Sequence, residues 1–272
     1  FKDFGLSVFD ECHHLGAEVF SKSLLKVNSK YMLGLSATPK RKDGLSKVFE
    51  WFIGDMVYCV KKREEEDVLV EVHKYFNEDK EYSEEMYTVQ QNICAPRMIN
   101  KVCAYNDRNR VIMKLLKENV KEKRDVLILS DRREHLKMIY EYVTSKDIGT
   151  IGYYVGGMKP DALRETCEKQ IILGTFSMAS EGMDIPKLNT IILASPKSDI
   201  IQSVGRILRQ KKEDRKFTPK IIDIYDDFSI FKRQGEKRLK YYKSCKYNIS
   251  IHTMDGNIEN METKKTKSKS GK

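Results

Sequence analysis

Side chains that could do chemistry sit where short apolar runs of this sequence stop. Gln202, Arg206 and Arg209 stand at i, i+4 and i+7 in QSVGRILR. A helix there would carry two guanidiniums on one polar face, beside an apolar face of Ile201, Val204 and Leu208. Guanidiniums are permanently charged planar forks that match phosphate oxygens. The face therefore suits polyphosphate chemistry, and a solvated amphipathic helix is the plain alternative. Asp10 and Glu11 end the run Leu6-Ser7-Val8-Phe9. Two carboxylates at the end of a buried strand are costly without a cation. Magnesium bridging nucleotide phosphates would satisfy them, held by Asp10 directly or through water. Glu11 would then orient or deprotonate an attacking water. An acidic helix N-terminus explains the same pair without chemistry. A metal cluster of Cys12, His13 and His14 is disfavoured, because adjacent side chains point apart. Ser36 and Thr38 follow another apolar run, and Thr175 to Asp184 opens a third into hydroxyls, Gly182 and an acid. Ser130 ends the run 125–129, with Arg132 and Arg133 next in line. Gly156 and Gly157 form a turn where backbone amides could approach a phosphate.

These groups need a sheet to hold them. The runs 6–9, 31–35, 125–130, 171–173, 190–194 and 221–225 are short, apolar and bounded by turn residues. They read as buried parallel strands. Amphipathic stretches alternate with them at 17–27, 45–52, 98–120 and 131–142, the third with a weak point near Asn106. Further strands are expected at 56–60 and 68–75. The expectation is an α/β fold, with strand–helix alternation in both halves fitting two copies of one unit. In open α/β sheets ligands collect at the carboxyl ends of the strands, where the residues above fall.

Composition narrows the partners. The charged share of 33% and the lack of a long apolar run exclude a membrane protein. A net charge of +10 favours a polyanion. Six cysteines without CxxC spacing indicate neither a zinc site nor a disulfide framework, and fit reduced thiols inside a cell. From Lys246 the composition turns polar and lysine-rich, which predicts a disordered basic tail over 246–272. The charge run 63–67 reads as a linker between two units, 1–62 and 68–245.

DECH at 10–13, SATP at 36–39, GTFSMASEGMDIP at 174–186 and QSVGRILR at 202–209 resemble, in that order, motifs II, III, V and VI of the superfamily 2 helicases. DVLILS at 125–130 is similar to their motif IV. The words GLSATPKRKDG and FEWFIGDMVY resemble the DExH-box DNA translocases that include the repair helicase of transcription factor TFIIH, and their poxvirus and giant-virus relatives in transcript release. The resemblance covers about residues 5 to 235. It implies RecA-like parallel sheets flanked by helices, one truncated lobe followed by one complete lobe. The glycine-rich phosphate loop, GxxxxGK[ST], precedes DECH in the family, and nothing in this sequence matches it.

By this resemblance the intact protein uses ATP and Mg2+ to move along DNA or RNA inside the cell, with ATP in the cleft between lobes. Asp10 would bind the metal and Glu11 position water. Arg206 and Arg209 would be arginine fingers, and Gln202 would sense the γ-phosphate. Gly182 and Asp184 would lie near the nucleotide and contact the last motif. Thr175, Ser130 and the Gly156-Gly157 turn would grip one strand's phosphates, and Ser36 and Thr38 would couple the two surfaces. The missing N-terminal part of the first lobe is an implied partner; a membrane is not. A different class also fits: a nucleic-acid-binding or lobe-docking module without catalysis. Within the enzymes, a chromatin-remodeller-like translocase and a restriction-enzyme motor subunit are the alternatives.

Overall fold

The computed structural model describes residues 3–16, 18–36, 44, 46–59, 67–181, 183–210 and 212–261. The chain divides into two compact units, residues 1–62 and 63–272.

The first unit holds two parallel strands, β1 (Leu6–Phe9) and β2 (Tyr31–Gly34), in register Leu6 to Tyr31 and Val8 to Leu33. Its described helices are α1 (Glu18–Leu24), α2 (Ser46–Ile53) and a 3-10 turn over Cys12–Gly16. Alternation along a strand sends neighbours to opposite faces. Phe9 on one face packs with Cys12, Leu15, Leu24 and Ile53. Leu6, Val8, Tyr31 and Leu33 point the other way and are 54%, 53%, 61% and 41% exposed. The strands form as expected, but their burial does not, because no second layer covers that face among the described residues. Residues 56–59 form no strand, contrary to expectation. Val57 is 91% exposed, and among the described residues no strand pairs with this segment.

The second unit is a large α/β layer. In chain order it contains β3 (Leu69–Tyr75), α3 (Lys80–Ser83), α4 (Ala95–Ala104), α5 (Asn106–Lys121), β4 (Val126–Leu129) and α6 (Arg133–Ser145). It continues with β5 (Ile151–Tyr154), α7 (Pro160–Cys167), β6 (Ile171–Gly174), α8 (Phe176–Glu181) and β7 (Thr190–Leu193). The last elements are α9 (Ile201–Val204), β8 (Lys220–Asp226), α10 (Ser229–Ser244), β9 (Asn248–His252) and β10 (Ile258–Met261). The spatial order is β10-β9-β3-β8-β7-β4-β6-β5, and every pairing except β10 with β9 is parallel. β4, β6 and β7 are buried on both faces, which is why they read as continuous apolar runs. One face packs with α8, α9 and the end of α10 through Phe176, Ala179, Val204 and Tyr242. The other packs with α5 and α6 through Ile112, Leu116, Leu136 and Ile139.

The expected disordered tail over 246–272 is corrected as far as Met261 by β9 and β10, and 262–272 lie outside the described residues. Asn248-Ile249-Ser250-Ile251-His252 alternates, and Ile249 and Ile251 are buried. Two buried isoleucines and a full hydrogen-bonded ladder to β3 outweigh the polar average of the segment. Of the expected linker 63–67 only Asp67 lies among the described residues. No helix there is long and apolar enough to cross a membrane.

Candidate functional site

In the first unit, Asp10 and Glu11 follow β1 directly. Asp10 is exposed and its Oδ1 accepts the Glu11 N–H at 2.9 Å. Glu11 adopts φ +47°, a left-handed conformation that costs a residue with a Cβ and recurs where a site fixes the backbone. The turn is held on both sides: Leu35 N–H donates to Phe9 O at 2.8 Å and Cys12 N–H to Leu35 O at 2.9 Å. An accessible carboxylate oxygen is the hard donor that magnesium takes together with phosphate oxygens, so Asp10 fits the ion in type. Ser36 is half-buried just past β2. Thr38 lies outside the described residues. Among the described residues no group of three or more His, Cys, Asp or Glu could hold a metal ion.

In the second unit, β3 to β8 run parallel, so the loops after β4, β5, β6 and β7 emerge at one edge. Thr175 lies at the start of α8. Its carbonyl accepts Ala179 N–H at 3.0 Å and its Oγ1 accepts Met178 N–H at 3.4 Å. The hydroxyl is thus an N-cap, and Thr175 is half-buried rather than sealed. Gly182 lies outside the described residues. Asp184 is 68% exposed and pairs with the Arg209 guanidinium.

The expected single helical face of Gln202, Arg206 and Arg209 does not form. α9 stops at Val204, and Gly205–Leu208 winds as a 3-10 helix. The tighter winding turns each residue by about 120° instead of 100°, so the two arginines part company. Arg206 is buried and donates to the carbonyls of Ala179, Ser180 and Met183. The last carbonyls of α8 lack intrahelical donors, and a planar five-donor fork is a natural partner for them. As placed, Arg206 holds the end of α8. Arg209 is the more exposed of the two. Gln202 is half-buried with no side-chain hydrogen bond among the described residues.

Ser130 also differs from expectation. It is fully buried, and its Oγ lies 3.0 Å from His135 Nδ1 and 3.2 Å from Arg132 N. His135 Nε2 lies 3.0 Å from Asn109 Oδ1, and Asn109 Nδ2 donates to Cys103 O at 2.8 Å. A carbonyl only accepts, so the Asn109 amide nitrogen must face Cys103. Its oxygen then faces the ring, which requires a proton on Nε2 and a lone pair on Nδ1. Ser130 therefore donates to Nδ1 and accepts from Arg132. Burial, with the nearby Arg108 charge, drives the imidazole down to about 3, so the ring is neutral. Ser130 is a positioning residue for the loop after β4, not an exposed phosphate grip.

That loop has further ties. Asp131 N–H donates to Ser195 Oγ at 3.0 Å, and the Lys197 ammonium bonds Asp131 Oδ2 at 2.8 Å. Arg132 turns to Asn100 and to Pro96 O on α4. Arg133 donates to Gly156 O at 2.9 Å, joining the loop to the glycine turn, where Gly157 is exposed at φ +88°.

Sequence reasoning missed two buried arginines behind this edge. Arg108 of α5 makes two hydrogen bonds to Asp226, 2.6 and 2.9 Å, and one to Ala194 O at 2.8 Å. Arg238 of α10 likewise holds Asp223 at 2.7 and 2.8 Å and Lys197 O at 2.5 Å. Asp223 and Asp226 are three apart on β8, so they face opposite layers. The segment leading to α9 is thus clamped from both faces. A signal was available for Arg238, which falls in the inward row Phe231, Gly235, Arg238, Tyr242. The same signal was available for Arg108, which falls in the inward row Arg108, Ile112, Leu115, Asn119 of α5.

Residues 107–211 match the helicase conserved C-terminal domain, and residues 1–41 match the type III restriction enzyme, res subunit. The L396 protein of Acanthamoeba polyphaga mimivirus, assigned as an ATP-dependent RNA helicase, is 40% identical over 265 residues, covering 95% of this chain and 50% of that protein. A helicase assignment of Invertebrate iridescent virus 6, 161L, is 25% identical, covering 89% and 56%. The chain spans about half the length of these viral relatives. Among solved structures, T4 UvsW aligns with TM-score 0.54 and 22% identity, covering 93% of this chain and 54% of that one. Yeast Dbp5 bound to RNA and ADP BeF3 aligns at 0.59 and 11% identity, covering 92% and 60%. The fold is the α/β, mainly parallel arrangement of RecA-like helicase lobes. The matched family models and the names of the viral relatives are those of helicases and a restriction-enzyme subunit.

Proposed function

We propose that this chain is the motor portion of an ATP-dependent superfamily 2 translocase of the DExH-box, TFIIH-helicase-like type. Its track is nucleic acid, with DNA favoured by the subgroup resemblance. The observation that carries the reading is the docking of 202–209 onto 175–184 at one edge of a parallel sheet, through Arg206 to three carbonyls and Arg209 to Asp184. Such docking lets a change at a nucleotide pass to the Thr175 loop. In this reading Asp10 binds Mg2+ and Glu11 orients the attacking water. Arg209 stabilises charge on the γ-phosphate, Gln202 senses it, and Gly182 and Asp184 lie beside them. Thr175 and the Gly156-Gly157 turn contact the phosphates of one strand, which suits a motor indifferent to sequence. Ser36 and Thr38 couple the two tasks.

A second reading, a non-catalytic docking and binding module, draws on the apolar face of Leu6, Val8, Tyr31 and Leu33. An uncovered apolar sheet face invites further chain, and the missing part of the first lobe is our proposed occupant. One comparison separates the readings. ATP turnover is measured with and without DNA or RNA, for this chain alone and for a fusion supplying a first-lobe half with GxxxxGK[ST] upstream of Phe1. The fusion is expected to hydrolyse ATP faster with nucleic acid, and the chain alone to show no turnover. Stimulated hydrolysis by the chain alone removes the assigned need for the phosphate loop. A folded fusion without turnover leaves the docking reading.

A further inference from the structure

We infer that the outer face of α10 is a second surface for a nucleic-acid backbone, separate from the Thr175 and glycine-turn edge. The inference rests on the nucleic-acid reading above. Lys232, Arg233, Lys237, Lys240 and Lys243 are all exposed, with Glu236 the single acid among them. At 100° per residue they fall within an arc of about 140°. Lys232 lies 3.7 Å from Asp227. Among the described residues Arg233, Lys237, Lys240 and Lys243 have no ion-pair partner. Some charges on other helices are paired locally, as in Arg110 with Asp107 and Arg164 with Asp161.

The face is presented by a rigid element. Arg238 and Tyr242 bind the buried Asp223 carboxylate, and Arg238 also holds Lys197 O. A Cβ at Gly235 would run into the Tyr225 ring, so the helix lies close on β8. The composition selects the partner. Lysine is depleted in protein–protein interface cores, and this face exposes no large apolar side chain for a membrane surface. The four unpaired cations span about 15 Å of helix axis. Duplex DNA carries about four phosphates per strand over that length. A row of flexible ammonium groups meets such a polyanion without reading its sequence.

The test is a titration of this chain with labelled 30-nucleotide DNA, RNA and 30-base-pair duplex from 50 to 200 mM salt. One variant neutralises the helix (Arg233→Gln, Lys237→Gln, Lys240→Gln, Lys243→Gln). A control removes equal charge elsewhere (Lys264→Gln, Lys265→Gln, Lys267→Gln, Lys269→Gln). Each lost phosphate contact reduces the slope of log K against log salt by about 0.7–0.9. The helix variant is expected to lose about 3 from that slope and at least tenfold in affinity at 50 mM salt, with an unchanged melting curve. The control is expected to lose less. Wild-type affinity in the helix variant, or an equal loss in the control, overturns this surface and leaves the function reading intact. Absence of binding by wild type at 50 mM salt overturns both.

Discussion

His135 shows how a buried ring can tie a loop to a helix through two hydrogen bonds. Its neutral ring is the middle of a one-way chain from Arg132 N–H through Ser130, His135 and Asn109 to Cys103 O. Protonation would turn Nδ1 from acceptor to donor and leave the Ser130 hydroxyl proton without its acceptor in a buried site. The folded value, about 3, lies below the ordinary 6.5 of an exposed imidazole. Stability from this group is therefore present above 6.5 and is lost as pH falls from 6.5 toward 3. Linkage puts the loss near 2 kcal/mol by pH 5. Urea unfolding at pH 7.5 and 5 is expected to show that loss in wild type and a smaller one in His135→Gln. Equal pH dependence in the two proteins would contradict the neutral-ring assignment. The sequence named Ser130 correctly as a strand-end residue, but a hydroxyl's burial depends on Asn109 and His135, which lie 21 and 5 positions away. No local pattern carries that information.

At the scale of elements, β8 and the segment before α9 are held by opposed clamps, Arg108 from α5 and Arg238 from α10. Removing one partner of a buried pair leaves an uncompensated charge, at a cost of roughly 3–5 kcal/mol. Arg238→Ala is expected to lose that much in urea, while Arg238→Ala with Asp223→Ala loses less than the sum of the two single changes. Additive losses would mean the pair contributes no coupling. Strand positions in the second unit were legible because each buried run is apolar and β-branched. The 3-10 turn at Gly205–Leu208 was not, since i, i+4, i+7 spacing assumes continuous α winding. β9 was hidden by its polar neighbours, although Ile249 and Ile251 carried the period. In the first unit the apolar pattern gave the strands but not their exposure, because burial needs a covering layer as well as an apolar side chain.

At the scale of the molecule, the motor reading joins two kinds of chemistry: nucleotide hydrolysis at Asp10, Glu11 and Arg209, and backbone contact at Thr175, the glycine turn and α10. Arg206 joins the two by holding the end of α8. These assignments separate in one kinetic series on the GxxxxGK[ST]-bearing fusion. Arg206→Lys is expected to lower the melting temperature, because an ammonium cannot reach three carbonyls in one plane. Arg209→Lys is expected to reduce kcat more than KM, the mark of a group acting on transition-state charge. The most direct measurement is Glu11→Gln, followed by ATP binding and by hydrolysis with and without nucleic acid. The amide keeps a hydrogen-bonding group but cannot take the water's proton. The expected result is ATP binding as in wild type with hydrolysis reduced by at least 10². Wild-type hydrolysis in a folded Glu11→Gln protein would contradict the account.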